Sequence, residues 1–423
     1  MWLVYKIKSY LLHNTSTKQT IIKNTFWLFV AEWVSKGSLF LISILVARQL
    51  GPEQFGVMSF VMSFVTLFIL LTDFWLTTLM VREVIRDQNK LWEYFINGNF
   101  LKIILGIITL WIVRWVSHYI GKPDFYINLI LIYCGYSIIN NIGEFVRAFF
   151  RPSEKMQHEA VLKIINGLLV LIIIGGSLWI WCKLEWIFYA YLIAGTLSLV
   201  MSLLYILGKS VKFRFTIDKS LIKQSLVSWS LLLFSTVFIQ FYVSSDQVLL
   251  WLFWFEKQLW VYSAMYKIIN ILMIGVTIYA TSFIPTFLKN ISIKKITFNI
   301  KLFSFLRAIL MILFIFFGRF IISILYGSAY NSWYNVLIIL VVTSFFMIQN
   351  NLLWNILIGL KKEKKAMYAV LLWWIFNIVA NIVLIPKYGM MGTAFTTLWA
   401  EILVLIILWL VMMDFFKKLK TKD

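Results

Sequence analysis

Long apolar runs recur along the entire chain, and only short polar connections separate them. Hydrophobic residues make up 61% of the 423 residues and charged residues 13%, whereas a soluble domain carries about 25% charged residues. Because about 20 consecutive apolar residues suffice for a helix to cross a bilayer, the pattern predicts an all-α integral membrane protein. The connections leave no room for a folded domain that would hold catalytic groups in water, so the chain is predicted not to be an enzyme.

About twelve transmembrane helices fit the chain, and we expect two six-helix lobes around a central cavity. The predicted spans are Lys23–Gln49, Pro52–Met80, Phe95–Ser117, Phe125–Phe150, Ala160–Trp181, Glu185–Leu207, Gln224–Leu252, Leu259–Phe287, Thr297–Leu325, Tyr334–Leu360, Ala366–Ile385 and Gly389–Phe415. The predicted parts are a cytoplasmic N-terminal segment (1–20), the N-terminal lobe (21–208), a basic cytoplasmic linker (209–223), the C-terminal lobe (224–415) and a basic cytoplasmic tail (416–423). The N-terminal segment is either a short interfacial helix or a disordered tail.

Two combinations of glycine and proline predict breaks between helices. Gly51 and Pro52 separate the first span from the second, and Pro386 and Gly389 separate the last two. Proline is tolerated in a first helical turn and glycine at a C-terminal cap. These residues are therefore predicted to form structural turns.

The formal net charge of +21 is explained by where the basic residues lie. Lysine and arginine concentrate in alternate connections, for example at residues 361–365. The positive-inside rule assigns these connections and both termini to the cytoplasm. The basic balance thus indicates orientation in a membrane, with contacts to membrane lipids, and not nucleic-acid binding.

The cysteine and histidine residues do not form a recognisable site. Cys134 and Cys182 both lie in apolar runs, and His13, His118 and His158 are far apart in the sequence. This pattern predicts neither a disulfide framework nor a metal cluster, and no cofactor is expected.

Short motifs follow one another in order from the first span to the last. They are Ala47–Gly56, Thr72–Phe74, Arg82–Glu83, Ser245–Leu250, Val261–Ala264, Leu325–Tyr330, Asn377–Asn381, Ile385–Ala394 and Glu401. In sequence and spacing these motifs resemble the polysaccharide-synthase type oligosaccharide flippases, which handle O-antigen or capsule repeat units. That family shares the multidrug/oligosaccharidyl-lipid/polysaccharide exporter superfamily with the multidrug and toxic compound extrusion transporters.

The resemblance implies a flippase in the bacterial cytoplasmic membrane. Its substrate would be an undecaprenyl-diphosphate-linked oligosaccharide, moved from the cytoplasmic to the outer leaflet by alternating access for cell-surface polysaccharide synthesis. Other polysaccharide-assembly proteins are the implied partners. Two alternatives remain at this point: a cation-coupled exporter of drugs or metabolites from the same superfamily, and a membrane glycosyltransferase or polysaccharide polymerase.

Two lysine residues lie deep within predicted spans. Lys36 is about 20 Å along the first span and Lys267 about 12 Å along the eighth, at 1.5 Å per residue. An ammonium at that depth is costly unless it is paired or faces a watery cavity. We expect both to line the central cavity and to neutralise the diphosphate of the substrate, with Arg48 and Arg147 extending the path. The alternative is pairing on the same helix, of Glu32 with Lys36 and of Glu144 with Arg147.

Three acidic residues are also predicted at membrane depth. Asp246, Asp73 and Glu401 are candidates for binding a coupling ion, either a proton or Na⁺. Structural pairing with Lys267, Arg307 or backbone donors is the favoured alternative. Asp246 is the preferred coupling residue among the three.

Overall fold

A computed structural model describes residues 17–73, 76–121, 123–209, 244–253, 255, 257–271, 273, 293–359 and 363–420. The described residues are helical with short connections and contain no strand. The helices are α1 (Thr17–Gln49), α2 (Gly51–Ile69), α3 (Leu76–Arg86), α4 (Leu91–Tyr119), α5 (Asp124–Arg147), α6 (Met156–Trp181), α7 (Leu184–Lys209), α8 (244–252), α9 (257–271), α10 (Ile293–Leu325), α11 (Tyr334–Gly359) and α12 (Glu363–Lys420). The all-α architecture predicted from the sequence is confirmed.

Many of these helices have the length and apolarity of membrane spans. Within the described residues, eight helical stretches are long and apolar enough to cross a membrane, and they include the first six predicted spans. Large apolar side chains are exposed on their outer faces, among them Trp111, Trp115 and Trp179, as expected for surfaces that contact lipid. The predicted N-terminal segment, the linker 209–223 and most of the seventh and eighth predicted spans lie outside the described residues.

The chain divides into two compact units. Unit 1 comprises residues 1–45 and 64–234, and unit 2 comprises residues 46–63 and 235–423. Unit 1 has a core of Phe95, Phe145 and Phe149 with aliphatic neighbours. In unit 2, Leu353 and Leu357 of α11 pack with Val404 and Leu408 of α12. The division into lobes at 21–208 and 224–415 stays a prediction.

The second predicted span is interrupted near its C-terminal end. Helix α2 ends in a short 3-10 turn, Leu70–Thr72, and α3 begins at Leu76 as a separate amphipathic helix. Its buried face consists of Leu76, Leu79, Met80 and Val84, which recur at helical spacing. The interruption lies at Asp73, a polar residue that the continuous span Pro52–Met80 would have carried through the bilayer.

The break predicted at Gly389 is present and turns the chain back on itself. Asn381 and Thr397 of α12 both donate hydrogen bonds to Asp246, each over 2.8 Å. In a straight helix, the backbones of Asn381 and Thr397, sixteen residues apart, would be separated by about 24 Å. They could not both reach Asp246, so the helix must turn back between them. Gly389, with φ 56° and ψ −135°, makes the turn between the two halves of α12. The break at Gly51 is also confirmed, since α1 ends at Gln49 and Gly51 has φ 80°.

The substitution Gly389→Ala is expected to destabilise the protein by about 2 kcal/mol. A positive φ costs a residue with a Cβ roughly 1–2 kcal/mol. That Cβ would also overlap the side-chain oxygen of Gln258, which accepts a hydrogen bond of 2.7 Å from the backbone N–H of Met390. Thermal unfolding in detergent measures the effect. Gly175→Ala is the matched control, because its Cβ meets no atom within 4 Å, and an unchanged Tm for Gly389→Ala would contradict the expectation.

Candidate functional site

A polar cavity of about 180 Å³ lies within unit 1. Three helices form its wall, each through one face at helical spacing. The lining residues are Glu32, Ser35, Lys36, Ser38 and Leu39 of α1, Tyr136, Asn140, Glu144 and Arg147 of α5, and Lys163, Asn166, Gly167 and Val170 of α6. Gly167 permits the close approach of α6 to α1, since a Cβ there would lie 3.0 Å from the Cα of Ser35.

Two lysines in this cavity share one carboxylate. The Nζ atom of Lys36 lies 3.8 Å from an oxygen of Glu32, and Lys163 donates a hydrogen bond to the other oxygen of Glu32. The pairing of Glu32 with Lys36 within α1 is therefore confirmed. Lys163 comes from a different helix, and the sequence analysis did not single it out as a site residue.

Arg147 is the third cation of the cavity, and its environment differs from that of the lysines. Only 2% of its surface is exposed. Among the described residues no ion pair or hydrogen bond satisfies its guanidinium, which attracts Glu144 and Glu159 only through longer-range electrostatics. The pairing of Arg147 with Glu144 that the spacing suggested is not formed there. A guanidinium carries five N–H donors, and its burial is costly without a partner.

The cavity thus brings together four of the charged residues that the sequence analysis proposed, namely Lys36, Arg147, Glu32 and Glu144. With Lys163, the cavity contains three cations and two carboxylates. Asn140 and Asn166 provide amide groups beside these charges. The arrangement can hold an anion with several oxygen atoms, because fixed cations and amide donors converge on one polar space.

A second cluster of charges in unit 1 surrounds the buried ammonium of Lys102. Lys102 of α4, 1% exposed, donates hydrogen bonds of 2.5 Å to Asp73 and to the side-chain oxygen of Asn141. Its ammonium also lies 5.2 Å from the ring centroid of Phe145. Asp73 accepts a further bond of 3.1 Å from Thr77. Asp73 therefore forms an ion pair with Lys102, which the sequence did not suggest as its partner.

In unit 2, Asp246 lies in a buried network of neutral donors. Its carboxylate accepts hydrogen bonds from Tyr262 over 2.7 Å and from Thr397 and Asn381 over 2.8 Å each. Asp246 is 4% exposed, and no described residue forms an ion pair with it. The side-chain oxygen of Asn381 is buried without a donor among the described residues. Oxygen atoms without a compensating cation are a suitable environment for a proton or a small cation.

Glu401, the remaining acidic candidate, contacts α11. The side-chain nitrogen of Asn350 donates a bond of 2.6 Å to the carboxylate of Glu401 and one of 2.9 Å to its backbone oxygen. Glu401 is 3% exposed. These contacts join α12 to α11 and do not involve Lys267; the side chain of Arg307 lies outside the described residues.

The two other predicted cations, Lys267 and Arg48, contact groups of unit 2. Lys267 lies over the ring of Phe55, 4.4 Å from its centroid. Arg48 donates to the last carbonyl groups of α10, to Ile324 and over 3.1 Å to Leu325, which matches the preference of helix C-termini for cations. That Lys36 and Lys267 face one central cavity stays a prediction.

Sequence comparisons place the chain in a family of polysaccharide biosynthesis proteins. A family model described as polysaccharide biosynthesis protein matches residues 21–291. The chain is 25% identical to the capsular polysaccharide biosynthesis protein CapF of Staphylococcus aureus, covering 91% of this chain and 98% of that protein. It is 21% identical to an uncharacterized membrane protein of Methanocaldococcus jannaschii, covering 92% and 97% respectively.

Solved structures similar to this chain are MATE transporters. An inward-facing multidrug resistance MATE family transporter of the MOP superfamily matches with a TM-score of 0.72 at 14% identity, covering 91% of this chain and 95% of the other. A eukaryotic MATE transporter, AtDTX14, matches with a TM-score of 0.65 at 13% identity, covering 97% and 96%. At such identities the likeness shows the fold alone, a multi-pass bundle of membrane helices.

Proposed function

The chain belongs to the polysaccharide biosynthesis protein family, and from this membership we propose that it is a flippase for a lipid-linked oligosaccharide. The proposed substrate is an undecaprenyl-diphosphate-linked repeat unit of a cell-surface polysaccharide such as O-antigen or capsule. The protein would move it from the cytoplasmic to the outer leaflet of a bacterial cytoplasmic membrane, with both of its own termini in the cytoplasm. Other polysaccharide-assembly proteins are the proposed partners.

The observation that carries this proposal is the buried Arg147 in the cavity of unit 1. Its guanidinium has no acceptor among the described residues, and the same cavity contains Lys36 and Lys163. A diphosphate offers the charge and the oxygen atoms that these groups lack. Charge-assisted hydrogen bonds from guanidinium and ammonium groups to phosphate are the strong ones, so the cavity supports an anionic head group as cargo.

The energy source is proposed to be a cation gradient coupled at Asp246. Alternating access requires a group whose occupancy changes between the two states of the transporter. Asp246 is buried among neutral donors, with a further oxygen of Asn381 nearby. Binding and release of a proton or Na⁺ there would change the charge of unit 2 by one.

A cation-coupled exporter of drugs or metabolites is the second candidate. The MATE fold and the buried Asp246 fit it equally well. A cationic drug would favour a cavity dominated by carboxylates, whereas the cavity of unit 1 contains three cations and two carboxylates. The balance of charge therefore favours the flippase. A glycosyltransferase or polymerase is not supported, because the described connections are short.

Loss of the protein tests the proposal directly. In a strain that lacks it, lipid-linked repeat units are expected to accumulate on the inner leaflet, where they can be quantified by their resistance to an impermeant labelling reagent. Re-expression of the full chain should reverse the accumulation. Cells without accumulation that become sensitive to cationic dyes would overturn the flippase and favour the exporter.

The substitution Lys36→Ala is expected to reduce flipping by about tenfold or more, since one charge-assisted hydrogen bond contributes about 1.5–3 kcal/mol. Flipping of a fluorescent diphosphate-linked oligosaccharide in proteoliposomes measures it, with membrane abundance determined in parallel. Lys183→Ala, an exposed residue of unit 1, is the control. Wild-type flipping by Lys36→Ala at normal abundance would show that Lys36 has no role in the cavity.

A further inference from the structure

We propose that Glu32 is an internal counter-anion that occupies the anion-binding positions of the unit 1 cavity until the substrate displaces it. The inference rests on the proposed function, because it assigns a role to Glu32 within the same cavity. An incoming diphosphate binds first to Arg147 and then replaces Glu32 at Lys36 and Lys163. Glu32 is in this sense a competitor of the substrate and a positioning residue for the two lysines.

The first argument is the sharing of one carboxylate by two cations from different helices. Lys36 belongs to α1, whereas Lys163 belongs to α6, and each lies at a separate oxygen of Glu32. A single negative charge thus spans the two ammonium groups. A bridging diphosphate would contact the same pair, with oxygen atoms on two linked phosphates and a larger negative charge.

The second argument is the difference between these lysines and Arg147. Glu32 provides an acceptor for Lys36 and Lys163, but Arg147 has none among the described residues. Arg147 is therefore the position at which an anion gains a contact without breaking one. Binding at Arg147 brings the anion into the cavity that Lys36 and Lys163 also line, where it competes with Glu32.

Third, the ammonium of Lys36 is much more accessible than that of Lys102 in the same unit. The side chains of Glu32 and Lys36 are 36% and 49% exposed, so both can move without disturbing a core. Lys102, by contrast, is 1% exposed and has Asp73, Asn141 and Phe145 around its ammonium. Asp73 is as exposed as Glu32, at 36%, so the difference lies in the ammonium groups: that of Lys36 can exchange its partner, whereas that of Lys102 is fixed.

This arrangement has a consequence for the transport cycle. While the diphosphate is bound, Glu32 has lost its two partners and repels the negative charge of the substrate. Its return to Lys36 and Lys163 therefore favours release. Removing the charge of Glu32 should tighten binding and slow transport, a combination that a purely structural ion pair would not produce.

The test is binding of inorganic pyrophosphate to the purified full-length protein, measured by calorimetry, together with flipping in proteoliposomes. Glu32→Gln is expected to bind pyrophosphate at least tenfold more tightly than the wild type and to flip the substrate more slowly. Glu185→Gln, an exposed acidic residue of unit 1, should change neither value. If Glu32→Gln does not fold, Glu32→Asp replaces it in the test. The shorter aspartate side chain should hold the two lysines less well, so this variant should also bind pyrophosphate more tightly than the wild type.

The outcomes separate this inference from the proposed function. The wild type could bind pyrophosphate and Arg147→Gln could lose this binding, while Glu32→Gln binds no more tightly than the wild type. That result would overturn the role of Glu32 alone. Absence of pyrophosphate binding in both the wild type and Glu32→Gln would overturn the anionic cargo as well. Tighter binding with slower flipping in Glu32→Gln supports both.

Discussion

Replacing Arg147 with glutamine is expected to abolish flipping while leaving the protein folded. The guanidinium is buried and has no acceptor among the described residues, so the diphosphate would be its strongest partner. Losing a bidentate, charge-assisted contact costs about 3 kcal/mol or more, which corresponds to more than a hundredfold in rate or affinity. Flipping in proteoliposomes and pyrophosphate binding measure this loss.

The thermal stability of Arg147→Gln separates a functional from a structural role. A buried charge without a direct partner is a burden on the fold, so Tm is not expected to fall. Arg147→Lys should retain part of the binding, because an ammonium provides the charge without the planar fork. Arg114→Gln, at an exposed position of α4, is the control. A strongly lowered Tm with normal binding would mean that Arg147 is structural.

Replacing Asp246 with asparagine is expected to remove the dependence of transport on a cation gradient. Asparagine keeps the shape and one acceptor oxygen, but it cannot change charge when a proton or Na⁺ binds. Gradient-driven flipping should fall at least about tenfold, the effect of a coupling free energy of roughly 1.4 kcal/mol. Imposing a proton gradient and a Na⁺ gradient separately on proteoliposomes identifies the ion.

Asp246→Ala is the companion variant, and it is expected to lower stability as well as transport. Alanine leaves the donors of Tyr262, Thr397 and Asn381 without their acceptor. Each buried unsatisfied group costs about 1–3 kcal/mol. The Tm should therefore drop markedly in Asp246→Ala but little in Asp246→Asn. Gradient-dependent transport by Asp246→Asn equal to that of the wild type would exclude Asp246 as the coupling residue.

Features that depend on local sequence were predicted well. Apolar runs of membrane length identified the first six spans, since a helix in lipid must satisfy its own backbone. The breaks at Gly51 and Gly389 were also predicted from local sequence, because glycine adopts a backbone conformation that other residues adopt only at a cost. The spacing of Glu32 and Lys36 within one helix predicted their ion pair.

The interruption at Asp73 was not predicted, and the reason is tertiary. Hydropathy alone favoured a continuous second span, because Asp73 is one polar residue in a long apolar run. Its partner Lys102 is 29 residues away, on α4. The rule that a charge at membrane depth requires a partner could have suggested this pair, although hydropathy does not indicate which helices face each other.

The sequence by itself determined that this protein is a bundle of membrane helices and where most of the described helices lie, because these properties follow from the composition of each segment. Only the tertiary structure decided how the charges are used. It paired Lys102 with Asp73, added Lys163 to Glu32, surrounded Asp246 with neutral donors and left Arg147 without an acceptor among the described residues. Such contacts join different helices, and their geometry is fixed by packing.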